Sequence, residues 1–359
     1  MTDSQAYVAF NLTDRIGSVT VAELVAKSGS AAAAWETFPK KVARAGGEVD
    51  WAREYDLAEK YGVRIITPAD DAYPASLKSV PGHPLALYVK GNPAALSDPM
   101  VALVGTRRAT AYGLDNAYAL GRDLAARGWT IVSGLALGID AEAHRGALAA
   151  GGTTVGVIGS GLDRFYPEEN RALAREIVEK GGAVVSEFAF GRPPDQQTFP
   201  QRNHTVAALA RGVVAVEAPL KSGTLITTGI AADLGRTVMA VPGRVDSRSS
   251  AGCLALIRDG ARLVRDASDV ESELSELLPR SHVRSAAPVA EAPREPVPKC
   301  SVEEAAVMKF VTAEGVTVDS LIRRTRLPAV KVNAICMELR LKERVRYLPG
   351  NRVALPRRK

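Results

Sequence analysis

The sequence predicts an α/β fold built on a doubly wound, mostly parallel sheet, and two observations carry that expectation. From Met100 onward short β-branched runs recur, each closed by a glycine-bearing turn and followed by roughly 15 to 25 helix-forming residues, the length of a crossover helix. The runs are continuously apolar instead of alternating, which suits strands covered by helices on both faces.

Taken in order, residues 6–60 place small apolar residues at helical intervals between turn signals at Gly17, Gly29 and Gly46-Gly47, predicting a small helical module over 1–60. Two β-rich runs, 63–67 and 85–89, then flank a proline-punctuated loop and lead into the main sheet. The sheet is predicted from VALVG (101–105), TIVSG (130–134), TVGVIG (154–159), AVVSEF (183–188), VVAVEA (213–218), TVMAVPG (237–243) and ARLV (261–264), so the main domain runs over 61–278. Proline and alanine without an apolar period make 279–299 a linker. Beyond it a helix, a helix-turn-helix pair and a small hairpin predict a winged helix over 300–359.

At 359 residues, 46% hydrophobic and 24% charged, the chain has a globular composition and room for two or three domains. Its amino terminus lacks a basic-then-apolar leader, and no window reaches the roughly 18 uninterrupted apolar residues of a membrane span. A soluble cytoplasmic protein with no membrane partner is expected. Cys253, Cys300 and Cys336 lie far apart without a CxxC pair, which argues against a disulfide framework or a zinc site and for reduced, mostly buried thiols. The net charge of +6 is uneven: residues 281–359 hold 16 Lys+Arg against 8 Asp+Glu, while the rest sums to −2. A basic tail suits a polyanionic partner as well as a solvated surface.

In an open parallel sheet, ligands gather at the carboxyl ends of the strands, where helix N-termini present free N–H groups. Four of the loops predicted there are polar and glycine-rich: Gly105-Thr106-Arg107-Arg108, Gly134 to Asp140, Gly159 to Asp163, and Ala218 to Thr224 with Lys221, Ser222 and Gly223. Converging, they would make one anion-binding surface. Arg107 sits where a guanidinium reaches a phosphate bidentately, or else makes a surface ion pair. Phe199 to His204 places Arg202 and Asn203 just before a helix at the same edge; binding is the favoured reading, a loop held by its own hydrogen bonds the other. Phe165, Tyr166, Phe188, Phe190 and Phe199 offer π-faces nearby, although most phenylalanines are core. Asp140 and His144, four apart, share a helical face as an acid/base couple or as a capping aspartate beside an imidazole.

Absent motifs narrow the function. The chain contains no Gly-Lys dipeptide and hence no P-loop, and GTRRATAYG stands where a G-x-G-x-x-G dinucleotide fingerprint would be expected. Neither HExxH nor a nucleophile elbow nor a metal-ligand cluster occurs. No cofactor is expected.

In order along the chain, VALVGTRRATAYG, SGLALGIDAEAHRGAL, GVIGSGLDRFYPEEN, AVVSEFAFG, FPQRN, VEAPLKSGTLIT and AVPG resemble the DprA (Smf) family of bacterial DNA-processing proteins, over about residues 60–265. The resemblance implies an extended Rossmann-like domain flanked by an N-terminal SAM-like module and the C-terminal winged helix. It further implies single-stranded DNA binding without catalysis, a homodimer, and loading of the RecA recombinase during natural transformation (competence) and DNA recombination. Carried over position by position, the nucleic-acid-binding residues are Gly105, Thr106, Arg107, Arg202, Asn203, Lys221, Ser222 and Gly223. The family's dimer contacts fall near Leu254, Leu256 and Ile257. The chain departs from relatives at His204, where an arginine is common, and at Glu168-Glu169. A His204 touching phosphate would make DNA affinity rise on mild acidification.

Two other classes remain in view. A Rossmann-like nucleotide-processing enzyme would draw on Asp140, His144, Asp163 and Glu187. A transcription factor would be led by the winged helix.

Overall fold

The computed structural model describes residues 1–13, 16–38, 49–274, 301–312, 314–342, 344–348 and 350–356. The predicted linker 279–299 and Cys300 lie outside the described residues. Two compact units emerge, one from 1–108 with 116–274 and the other from 109–115 with 301–356.

The first unit opens with helices α1 (Asp3–Asn11), α2 (Ser18–Ser28), α3 (Ala31–Thr37) and α4 (Trp51–Tyr61). A capping box of Thr2 and Gln5 starts α1, and Phe10 on its inner face meets Trp35 and Phe38 edge-on at 4.9 and 5.5 Å. Val8, Ala9 and Ala58 pack in one cluster with Val63, Ala86 and Tyr88, so these helices share a core with the sheet that follows.

Among the described residues that sheet has nine strands: β1 (Arg64–Ile66), β2 (Leu87–Gly91), β3 (Met100–Gly105), β4 (Thr130–Ser133), β5 (Thr154–Val157), β6 (Ala183–Ser186), β7 (Gly212–Glu217), β8 (Thr237–Ala240) and β9 (Arg262–Leu263). Every sequence-predicted run supplies one of them. Their order is β1-β2-β6-β5-β4-β3-β7-β8-β9. From β6 to β9 all pairs are parallel, whereas β1 and β2 form an antiparallel margin with Ile65 opposite Tyr88 and Val89 opposite Val185. Burial explains the apolar runs, for β7 is buried along its whole length and β3 in all but Gly105.

Crossovers are made by α6 (Ala111–Ala126), α7 (Ile139–Ala149), α8 (Arg171–Glu179), α9 (Thr198–Leu209), α10 (Gly223–Asp233) and α11 (Ala251–Arg258); the short α5 (Ala75–Lys78) precedes β2 and α12 (Ala267–Leu274) follows β9. The chain winds outward from β3 through β4, β5 and β6, then returns to place β7 on the other side of β3. Strand order therefore reverses between β3 and β7, and the crevice beyond their carboxyl ends is where such a sheet holds ligand. A register shift after Val104 pairs Gly105 with Glu217 and opens the end of β3 at that place.

The second unit contains α13 (Val302–Met308), α14 (Val318–Thr325) and α15 (Ala329–Leu341), with strands β10 (Val316–Thr317), β11 (Arg346–Leu348) and β12 (Arg352–Ala354) in the order β10-β12-β11. Its core gathers Val307, Leu321, Val332, Ile335, Leu339 and Val353. Ser301 and Glu304 cap α13 reciprocally, and Lys342 bonds the buried Glu304 at 2.6 Å. Helix-turn-helix followed by a hairpin is the winged-helix arrangement that the sequence predicted.

Candidate nucleic-acid interface

A cavity of about 500 Å³ occupies the switch point, and all eight residues predicted to bind nucleic acid line it: Gly105, Thr106, Arg107, Arg202, Asn203, Lys221, Ser222 and Gly223. They arrive from three places in the sequence. The β3 loop brings Thr106 and Arg107, the first turns of α9 bring Arg202 and Asn203, and the β7 loop brings Lys221 to Gly223.

Each loop has a physical reason for its shape. Thr106 donates its amide to Glu217 at 2.8 Å and accepts from the Arg108 amide on its hydroxyl at 3.2 Å, which folds the loop back over β7. Gly105 has no room for a side chain, because a Cβ there would strike Ile139. Gly138, at φ +79°, lies against the backbone of Thr106 and Arg107 and lets α7 begin directly beneath them. Ser222 caps α10 by accepting from the Thr224 amide at 3.0 Å, leaving the start of that helix open to the cavity beside Lys221.

Arg107 and Lys221 are exposed and, among the described residues, neither has a carboxylate partner. The Arg107 guanidinium lies 5.1 Å from the centre of the Phe199 ring. The surface ion pair considered for Arg107 does not form.

Arg202 is different. Residues 198–204 are not the lead-in to a helix but the first turns of α9 itself, because Asp195 accepts from the amides of Gln197 and Thr198 at 2.8 and 2.9 Å and Pro200 is tolerated in a first turn. That register turns Arg202 inward with Thr198, Thr205 and Leu209. Its Nη1 donates to the carbonyls of Gly134 and Val157, the latter at 2.8 Å, and its Nε donates to Asn203 Oδ1 at 3.1 Å. The guanidinium thus ties the ends of β4 and β5 together from the cavity floor. Fixing Asn203 Oδ1 also leaves the Nδ2 donor of that amide for the cavity.

Asp140 completes the floor. It is buried, and its Oδ2 accepts from the amides of Gly134 and Ala136 at 3.1 and 3.3 Å. Burial pushes this carboxyl above its ordinary range, while Arg202 and the two amides pull it back. His144 faces elsewhere: its Nδ1 meets Thr154 Oγ1 at 2.6 Å, and since that hydroxyl donates to Ile131, the ring carries its proton on Nδ1. Burial pulls this imidazole down to about 3, so it is neutral at pH 7 and forms no couple with Asp140. Asp163 accepts from the Gly191 amide at 2.8 Å, and Glu187 accepts from Thr205 at 3.1 Å. Of the four residues an enzyme would need, only Asp140 lines the cavity.

The aromatic residues divide. Phe190 packs between Tyr61 and Tyr88, and Phe165 against the α8 core, where Arg171 covers it. Phe199 lines the cavity, and the exposed Tyr166 stands 6.2 Å from it, beside Leu137. Phe188 is half-buried and lines neither cavity. His204 donates to the Pro81 backbone and packs against Gly82, outside the cavity.

Leu254, Leu256 and Ile257 lie on α11, half-buried, with Leu256 and Ile257 against Ala215, Ala218, Ala240 and Cys253. In the second unit, the exposed face of α15 carries Val330, Ala334, Met337 and Leu341, while Lys331 pairs with Glu303 and Arg340 covers the Tyr347 ring at 5.5 Å. Such a face is poor in the donors and acceptors that read base edges. Cys253 and Cys336 are buried thiols. Among the described residues no group of three His, Cys, Asp or Glu is placed to hold a metal, and no helix is long and apolar enough to cross a membrane.

A doubly wound sheet with a cation-rimmed cleft at its switch point, followed in sequence by a winged helix, defines a Rossmann-like protein with an anion-suited site. Residues 64–275 match the family model of DNA recombination-mediator protein A, and 287–351 match that of the DprA winged helix domain. Protein Smf of Escherichia coli (strain K12) is 36% identical over 297 residues, covering 81% of this chain and 78% of that protein. DNA processing protein DprA of Streptococcus pneumoniae is 42% identical over 204 residues, 57% of this chain and 72% of that one. The solved Streptococcus pneumoniae DprA superposes with a TM-score of 0.64 at 33% identity, over 76% of this chain and 98% of that one. A structure describing the single-stranded DNA binding mode of Helicobacter pylori DNA processing protein A gives 0.54 at 30% identity, over 60% and 98%. The chain belongs to the DprA (Smf) family.

Proposed function

We propose that this chain binds single-stranded DNA in the switch-point cleft and serves DNA processing without turning its ligand over. One observation carries the reading: cationic side chains, a helix N-terminus and an aromatic face from three separate segments line a single cavity. Arg107 and Lys221 neutralise phosphates, and the amides at the start of α10 and Asn203 Nδ2 donate to their oxygens. Phe199 and Tyr166 offer faces on which unpaired bases stack, which a duplex cannot use. Arg202 serves the site from beneath, by holding the strand ends.

The same reading extends to the cellular role. The protein acts in the cytoplasm as a homodimer through α11, around Leu254, Leu256 and Ile257, protects incoming strands and loads the RecA recombinase onto them. The kinship with DprA supports this, as does the solved relative described for its single-stranded DNA binding.

A titration of a fluorescent single-stranded oligonucleotide across a salt series tests the cleft. The logarithm of the affinity is expected to fall linearly with the logarithm of salt concentration, with a slope of about −0.7 per phosphate neutralised. Affinity indifferent to salt would overturn the electrostatic part of the reading, and release of nucleotides or bases from the oligonucleotide would favour an enzyme.

A further inference from the structure

Asn170 lines neither cavity, yet it reaches the cleft through one loop. It occupies the N-cap position of α8, where an asparagine ordinarily accepts from the helix's own first amides, but its side chain makes no such cap. Instead the buried Nδ2 donates at 2.8 Å to the carbonyl of Leu135, in the loop between β4 and α7.

Leu135 is the residue in that loop that most needs holding. It is fully buried and sits at φ +51°, a left-handed conformation that a branched side chain adopts only under outside constraint. Its side chain packs over Gly156 of β5, where a Cβ would collide with it. Arg202 and Asp140 hold Gly134, and Asp140 holds Ala136 as well, so Asn170 supplies the tie at Leu135 between them. The loop then runs to Gly138, which lies against the Thr106 and Arg107 backbone, and the Ile139 amide donates to the Thr106 carbonyl at 3.3 Å.

We infer that Asn170 is a positioning residue for the anion site: by fixing Leu135 it holds the 134–138 loop as the shelf on which Thr106 and Arg107 rest. The inference rests on the single-stranded DNA reading of the cleft. A pre-organised shelf lets Arg107 meet a phosphate without first being ordered, so losing the tie weakens binding without removing any group that touches DNA.

The test is a double-mutant cycle in the full chain, read by binding of a fluorescent oligothymidylate at low salt. Asn170→Ala is expected to weaken binding about tenfold when Arg107 is present and scarcely at all in an Arg107→Ala background, as coupled residues do. General loosening of the fold would lower affinity equally in both backgrounds, and that result, or no loss at all, would overturn the inference. Should Asn170→Ala fail to fold, Asn170→Ser, which keeps a donor of shorter reach, is expected to show an intermediate loss with the same dependence on Arg107; an equal loss in both backgrounds would again overturn it. Wild-type protein that does not bind the oligonucleotide would sink the functional reading itself, a result distinct from both.

Discussion

Arg107 and Arg202 approach the same phenylalanine ring, at 5.1 and 5.9 Å from its centre, and have opposite fates. Arg107 stands in solvent with its charge available to a ligand, whereas Arg202 is buried and spends its donors on two carbonyls and a neighbouring amide. One residue type thus stands in two ways within a single cleft, once as an exposed cation and once as a buried brace. The lesson is that lining a cavity is not the same as being free to bind in it.

Removing each arginine should separate the two roles. Arg202→Ala leaves Asp140 buried without its cation and two carbonyls without their donor, and is expected to destabilise the protein by about 3–5 kcal/mol, as broken buried pairs do. Chemical denaturation checks this. Arg107→Ala should shift stability by no more than about 0.5 kcal/mol, the usual range for surface changes. It should nevertheless weaken DNA binding about 10- to 100-fold, the equivalent of one charge-assisted hydrogen bond. Lysine sharpens the contrast. Arg107→Lys keeps the charge and loses part of a ring contact worth about 0.5–1 kcal/mol, so affinity should fall only a few-fold; Arg202→Lys cannot span Gly134, Val157 and Asn203 at once and should behave like the alanine variant.

Burial acts with opposite sign on an imidazole and a carboxyl, which predicts opposing pH effects. His144 is neutral and buried, its pKa lowered to about 3 from an ordinary 6.5, so below pH 6.5 the unfolded chain takes up a proton that the folded one refuses. Stability should drop as pH falls through that window, by up to about 1.4 kcal/mol per unit from this group, and His144→Gln should flatten the slope. Glu187 works the other way. Burial raises it from 4.5 to about 7, against the pull of Thr205 and Arg202, so the folded state holds the extra proton and stability should decline as pH rises from 4.5 to 7. Glu187→Gln should remove that decline, a smaller effect because its shift, from 4.5 to about 7, is smaller than that of His144. Smallest of all, Met337→Glu with Leu341→Glu on the exposed face of α15 should leave single-strand affinity unchanged; a clear loss would bring the winged helix into the DNA site.

Much of this was legible in the sequence. The apolar runs placed the nine strands of the large sheet, and three of the four glycine-rich loops that follow them line the cleft, because backbone geometry at a strand end is encoded locally; the loop from Gly159 to Asp163 stays out of the main cavity, and only Gly159 of it lines the smaller one beside it. The antiparallel edge was not legible, since β2 pairs with β6 across nearly a hundred residues and neither run carries a sign of its partner. FPQRN was read as the lead-in to a helix, so Arg202 was expected to face the ligand. The signal that corrects it is helical spacing, for Thr198, Arg202, Thr205 and Leu209 fall on one buried stripe once Asp195 starts the helix. Asn170 and Leu135 were beyond reach, because a left-handed leucine held from another loop depends on tertiary contact alone.

The central claim is that the switch-point cleft is where single-stranded DNA is held. The most direct test measures wild type and the Arg107→Ala/Lys221→Ala double variant against single- and double-stranded oligonucleotides of one sequence, with thermal unfolding of both proteins as the control. Preference for the single strand in wild type, lost in a variant that unfolds at the same temperature, is the predicted result; a double variant that binds single strands as tightly as wild type would contradict it.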